Sequence, residues 1–351
     1  RLSLCLLSKF VDKSNISTFT FGYHEKILEY KFAKKTTEIL GLNKPEFYKL
    51  SDRSYLDSFD LPYETGGAIA IHHSHIYDYL KKKDTNSLFI SNYYSDAVMG
   101  WNAKYLEKED CLENTDYCRS LLNNQFHLPE DMINSIKADL KKIISRYPKD
   151  SNFSCMDEFI YVTERNPKFH VKLTFAYNKY IKTELPYADY NLLVKMISIP
   201  LQFRYEKKLE AYLIENKYFR LHDVSSRRCF QRSQVKKTDY SVSERIYYSS
   251  SFFVFRLINL INYILAKVLK VNLQIINPYL TENQEIIFNR SFKLFNKKAC
   301  EYFYSRGIIN GILKEQLLKI EYKCNIISAK YTLVSLWSIL TRKEEELEQT
   351  R

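Results

Sequence analysis

The sequence predicts an α/β fold, with an open parallel sheet in its amino-terminal part and a large all-helical portion after it. Three observations lead there. The β-branched and aromatic run Ser17-Thr18-Phe19-Thr20-Phe21-Gly22-Tyr23 is closed by glycine and followed by a helical stretch from His24 to Leu40. A second apolar run, Leu88-Phe89-Ile90, ends abruptly in Ser91-Asn92-Tyr93-Tyr94-Ser95-Asp96, as a buried strand does when it delivers a polar loop. From about Asn102 onward the apolar spacing becomes that of helices. In open α/β sheets ligands sit beyond the carboxyl ends of the strands, so the loop from Ser91 to Asp96 is the expected site.

The helical elements follow in order. At the amino terminus, Leu2-Ser3-Leu4-Cys5-Leu6-Leu7 reads as a helix already under way. Pro129-Glu130-Asp131 puts acids in a first turn, and Ile133, Ile136, Leu140 and Ile143 make an apolar stripe beyond it. Tyr190 to Ile199 continues the theme, and Pro200, which has no N–H to donate, ends that helix. The next helix, from about Phe203, presents Arg204 and Lys207 or Lys208 on its first two turns. Residues 227–243 are polar and basic without a clear period, the best candidate for a mobile loop or linker. Amphipathic helices then run to Arg342-Lys343-Glu344-Glu345-Glu346, expected as a frayed, exposed tail.

At 351 residues the chain can bury a large core. Its formal net charge of +12 comes from lysine-rich stretches such as Lys81-Lys82-Lys83 and Lys141-Lys142, which read as solvated helix faces. No recognisable nucleic-acid-binding motif accompanies that charge, so no nucleic-acid partner is expected. Seven cysteines without a CxxC pair read as reduced core thiols of a cytoplasmic protein, Cys111 and Cys118 among them. Within His72-His73-Ser74-His75 two histidines share a helix face, but no third ligand stands out and a polar face is the better reading. The longest apolar stretch, Leu257 to Ala266, lies between Arg256 and Lys267 and is far short of the roughly 20 residues a membrane span needs.

Four places together resemble the synthetase domain of asparagine synthases, in the ATP-pyrophosphatase group of adenine-nucleotide-binding α/β proteins. Thr18 to Gly22 with Glu29-Tyr30-Lys31-Phe32-Ala33 and Leu40-Gly41 looks like the family's second strand and following helix. Asp60-Leu61-Pro62-Tyr63 is similar to its Asp-x-Pro-aromatic turn before another helix. The run Ser91 to Gly100 resembles its Ser-Gly-(Asp/Glu)-Gly-(Gly/Ser)-Asp-Glu-x-x-Gly loop, keeping Ser91, Ser95, Asp96 and Gly100. Leu185-Pro186-Tyr187-Ala188-Asp189 with Ile199-Pro200, Arg204, Lys207 and Lys208 resembles its Pro-Phe-Leu-Asp motif and lysine-bearing helix. The stretch from Asn277-Pro278-Tyr279 to Trp337 looks like the helical tail of relatives found with bacterial surface-polysaccharide genes.

The resemblance implies a HUP-like sheet within residues 1–105 and a helical part, residues 106–351, that completes the domain. It implies an ATP-dependent enzyme that adenylates a carboxylate, releases pyrophosphate and lets ammonia or an amine attack. ATP and Mg2+ are then the cofactors, the substrate is a small-molecule, glycan or peptide carboxylate, and a glutaminase domain or subunit supplies ammonia. Phe21, Ser91, Asn92, Tyr93 and Ser95 would border the nucleotide, Asp96 would anchor magnesium, and Lys207 or Lys208 would reach the pyrophosphate. Asp96 also reads as a helix N-cap and the lysines as surface, and Tyr93 and Tyr94 either stack on a base or plug the pocket.

The sequence departs from the family in two respects. The family's first strand and Ser-Gly-Gly-x-Asp-Ser loop would precede Arg1, so a fragment is expected. Tyr93 and Ala97 stand where the family has acids, and the alternative function is a non-catalytic nucleotide- or partner-binding member.

Overall fold

A computed structural model describes residues 2–50, 60–66, 69, 74–83, 86–99, 130–147, 153, 155–204, 208–217, 257–258, 260–261, 264, 290–319 and 324–349. At a few of these, Asp96 and Ala97 among them, only the backbone is described. Its contacts divide the chain into two compact units, Arg1–Ser51 with Leu213–Asn289, and Asp52–Tyr212 with Arg290–Arg351.

In the first unit, helix α1 (Leu2–Phe10) precedes a β-α-β element made of β1 (Phe19–Gly22), α2 (Leu28–Leu40) and β2 (Glu46–Lys49). The strands pair in parallel, from Phe19 opposite Glu46 to Gly22 opposite Lys49. The helix starts later than the expected His24, because Ile27, only 2% exposed, is drawn into the core in an extended conformation. Gly22 permits that approach: a Cβ there would stand 2.7 Å from Ile27 Cδ1. At the other end Gly41 takes the left-handed conformation (φ 66°) and closes α2, donating its N–H to Glu38 and Thr37 carbonyls. The apolar side of α2, with Phe32, Ile39 and Leu40, packs on Cys5 and Ile214.

The second unit carries α3 (Asp60–Glu64), α4 (Ser74–Lys81), β3 (Leu88–Ile90) and α5 (Ser95–Val98), then α6 (Glu130–Ile144). After these come α7 (Met156–Ile160), α8 (Lys172–Tyr177), β4 (Lys182–Glu184), α9 (Tyr190–Ser198) and α10 (Leu201–Arg204). Helix α11 (Lys208–Lys217) begins here, and α12 (Arg290–Ser305), α13 (Gly311–Leu318) and α14 (Cys324–Gln349) complete the unit. β3 and β4 pair in parallel, from Leu88 opposite Lys182 to Ile90 opposite Glu184. The described chain is therefore mostly helical, with two small parallel two-strand sheets.

Between α7 and α8 the helix continues in wide π turns, Tyr161–Arg165 and Pro167–Val171, so that Asn166 donates its N–H five residues back to Tyr161. Pro167 accounts for part of this, since it has no N–H for the ordinary ladder and its ring would crowd the preceding turn. Met156, Phe159 and Ile160 of α7 bury against Ile143 and Ile144 of α6 and Tyr147 just beyond it. Farther along, Cys300, Phe303, Ile309, Leu313 and Leu317 form the core joining α12, α13 and α14, with Trp337 packed against it.

Two expectations are corrected here. Residues 342–349 are not frayed but form the last turns of α14, with Arg342 bound to Asp60 at 2.6 Å and Glu346 accepting from the Tyr63 hydroxyl at 2.6 Å. Asp60-Leu61-Pro62-Tyr63 is itself helical, within α3, rather than a turn before a helix. Residues 227–243 lie outside the described residues, as does half of 257–266.

Candidate functional site

At the carboxyl end of β3 the Ser91 N–H donates to the Glu184 carbonyl at 3.0 Å, carrying the β3–β4 pairing one residue past the strand. Ser91 is buried there, and the Tyr93 N–H donates to its Oγ at 3.4 Å. The Ser95 N–H donates to the Asn92 carbonyl at 3.2 Å, so the loop is a tight turn. Tyr94 completes it in the left-handed region, at φ 77°. For a residue with a side chain this costs about 1–3 kcal/mol, which burial of the Tyr94 ring offsets.

Helix α5 starts at Ser95, which puts Asp96 at its second position and not at its N-cap. The Asp96 side chain lies outside the described residues.

The two tyrosines of the turn lean on the π-helical segment. The Tyr93 ring stacks on His170, with centroids 4.6 Å apart and planes 19° from parallel. Tyr94 meets the same imidazole at 6.0 Å in a tilted arrangement. Burial pushes the Tyr94 phenol up to about 12, so it stays protonated at physiological pH. Tyr177, on α8, packs edge-on to Phe89 of β3 with 5.9 Å between ring centroids. Burial raises its phenol well above the ordinary tyrosine range, and neighbouring Tyr93 adds to the effect. The Tyr177 hydroxyl is without a hydrogen bond of ordinary length and angle.

Beneath the loop lies a buried ion pair. Arg204, fully buried, donates to Glu158 Oε1 at 2.6 Å and to the Val98 carbonyl at 3.0 Å. It donates also to the carbonyls of Ile199 at 2.7 Å and Ile197 at 3.4 Å. One guanidinium thus ties the end of α5 to α7 and to the α9–α10 junction. Adjacent to this, Leu185-Pro186-Tyr187-Ala188-Asp189 follows directly on β4. Tyr187 is buried in a short 3-10 turn, and the Asp189 carboxylate caps α9 by accepting the Leu192 N–H at 2.8 Å.

Ser91, Asn92, Tyr93 and Ser95 therefore share one turn, with Asn92 exposed and Tyr93 and Ser95 half-buried. Phe21 is half-buried on β1 of the first unit, in register with Tyr48. Lys208 is the exposed first residue of α11, while Lys207, His72, His73, Cys111 and Cys118 lie outside the described residues.

The side chains of Cys5, Cys155 and Cys300 are buried. Among the described residues no group of three His, Cys, Asp or Glu side chains is placed to hold a metal ion. No helix among them is long and apolar enough to cross a membrane.

No protein-family model matches the chain, and no curated protein or solved structure is significantly similar to it.

Sequence reasoning missed His170, Glu158 and Tyr177. Their only cue was Asn166-Pro167 inside an apolar helical stretch, which signals a distorted helix but not what it faces. What the assembled residues offer is a strand-end turn, a flat imidazole–phenol stack and protonated buried phenols, with a buried ion pair at the end of the helix that follows the turn.

Proposed function

We propose that the chain is an asparagine-synthase-like, ATP-dependent amide-forming enzyme of the HUP-like α/β type, with its nucleotide at the carboxyl ends of β3 and β4. One observation carries the reading. Two segments that resemble the family, Ser91 to Met99 and Leu185 to Asp189, are far apart in sequence yet leave neighbouring parallel strands at the same end, joined by the Ser91–Glu184 hydrogen bond. Arg204, which belongs to the same resembling place as Leu185 to Asp189, reaches the first segment through the Val98 carbonyl. The left-handed backbone at Tyr94 falls where the family's loop carries glycine, the residue that adopts that conformation without strain.

In this reaction a substrate carboxylate attacks the α-phosphorus of ATP and pyrophosphate leaves. Ammonia or an amine then attacks the acyl carbon and AMP departs. Ser91 would border the adenine edge and Asn92, Tyr93 and Ser95 the nucleotide. Lys207 or Lys208 would offset charge on the departing pyrophosphate, and Asp96 would anchor Mg2+. The ammonia source would be a glutaminase domain or subunit, and the site of action cytoplasmic.

A second reading rests on the Tyr93–His170 stack. A phenol folded onto an imidazole occupies the position where the family has a carboxylate, which suits a non-catalytic member that binds nucleotide or a partner.

Exchange of labelled pyrophosphate into ATP separates the two, with aspartate, a sugar acid and an aspartate-containing peptide as carboxylates. Carboxylate-dependent exchange supports the enzyme. ATP binding without exchange supports the second reading, and absence of ATP binding removes the enzyme and leaves the second reading only as a binder of a partner.

A further inference from the structure

Outside the β3 turn, the outward side of α8 closes a pocket of about 350 Å³ against the end of α3, lined by Glu64, Thr65, Gly66, Lys172, Phe175 and Lys179. Phe175 is 68% exposed, on a helix whose Leu173 and Tyr177 are wholly buried on the other side. The pocket's one carboxylate, Glu64, is already engaged, by Lys179 at 2.9 Å and by the Tyr77 hydroxyl at 2.8 Å. Lys172 touches only the Thr65 carbonyl, at 3.4 Å, and no carboxylate among the described residues neutralises it. Gly66, at φ 60°, leaves the mouth open, since a Cβ there would meet nothing within 4 Å.

We propose that this pocket binds a small organic anion carrying a planar apolar group, of the class of an aryl phosphate or aryl carboxylate. The anionic end sits at the Lys172 ammonium and the ring lies on Phe175 and Ala176. The lining has two ammonium groups and one carboxylate, a net +1, which favours an anion over a neutral or cationic ligand. Its volume lies in the range of small-molecule sites, and a lysine point charge beside an apolar wall recognises such amphipathic anions. The pocket does not depend on ATP chemistry at the β3 turn.

The test uses 1-naphthyl phosphate on the full chain, by saturation-transfer NMR, with 1-naphthol observed in the same way as the ring alone and inorganic phosphate, the anion alone, read as a competitor of 1-naphthyl phosphate. Saturable binding is expected, weakened about tenfold or more in both Lys172→Gln and Phe175→Ala, with each half-ligand weaker by a similar factor. Both side chains are exposed, so unchanged melting temperatures accompany the loss. Undetectable binding, binding that both variants retain, or equal binding of 1-naphthol overturns the proposal.

Discussion

Arg204 and Glu158 form an ion pair of 2.6 Å in which both side chains are withdrawn from water. The pair joins α7 to α10 and, through the Val98 carbonyl, holds the end of α5, the helix that follows the β3 turn. Removing one member leaves a buried charge without its counterion. Glu158→Ala is therefore expected to cost about 3–5 kcal/mol by chemical denaturation, while Glu158→Leu with Arg204→Met recovers most of that loss. Equal losses in the single and double variants would show that the hydrogen bonds from Arg204 to the carbonyls of Val98, Ile197 and Ile199 matter more than the ion pair.

The Tyr94 phenol is raised to about 12 in the folded chain by burial, above the ordinary value near 10. A group whose folded value is raised stabilises the fold fully below the unfolded value and loses that contribution as pH climbs through the folded one. Stability should thus fall between about pH 10 and 12, less steeply in Tyr94→Phe, as read by thermal melts across that window.

Cys300 lies in the core of α12, α13 and α14, and burial pushes its thiol up to about 11. Alkylation of Cys300, followed by peptide mapping, should be negligible at pH 8 in the native chain and rapid once it is unfolded. Rapid native labelling would contradict the packing of this helical core.

Arg342 spans Asp60 and the Tyr63 ring, whose centroid is 4.6 Å away. These are exposed contacts, so Arg342→Ala should lower stability by at most about 1 kcal/mol, with an effect that shrinks in high salt. Hydrogen exchange over 342–349 reads the local consequence: the last turns of α14 should lose protection while its earlier turns keep theirs.

Where single residues dictate backbone geometry, the sequence was legible. Gly41 ends α2 and Pro200 follows α9 because one residue in each case forbids the helix to continue. β4 was not legible, since Lys182-Thr183-Glu184 offers only Thr183 to the interior and makes no apolar run. Arg204 read as a side chain presented on a helix, and its burial depends on Glu158, which lies far away in sequence. The turn residues Ser91 to Ser95 were found because an apolar strand ends in them. Their partner His170 was hidden in a π-helical stretch whose period matches neither helix nor strand.

Tyr93 stands where the resembled loop has an acid. If lost carboxylates alone silence the chemistry, Tyr93→Asp with Ala97→Glu should raise pyrophosphate exchange over the parent chain. Unchanged exchange would leave the substrate, not the loop, as the missing element.

Hydrogen exchange of the full chain with and without ATP and Mg2+ tests the central claim most directly. Protection concentrated in residues 91–99 and 185–189, and lost in Asp96→Ala, is the predicted result. No protection in these two segments, or protection that Asp96→Ala leaves intact, would contradict a nucleotide site at the ends of β3 and β4.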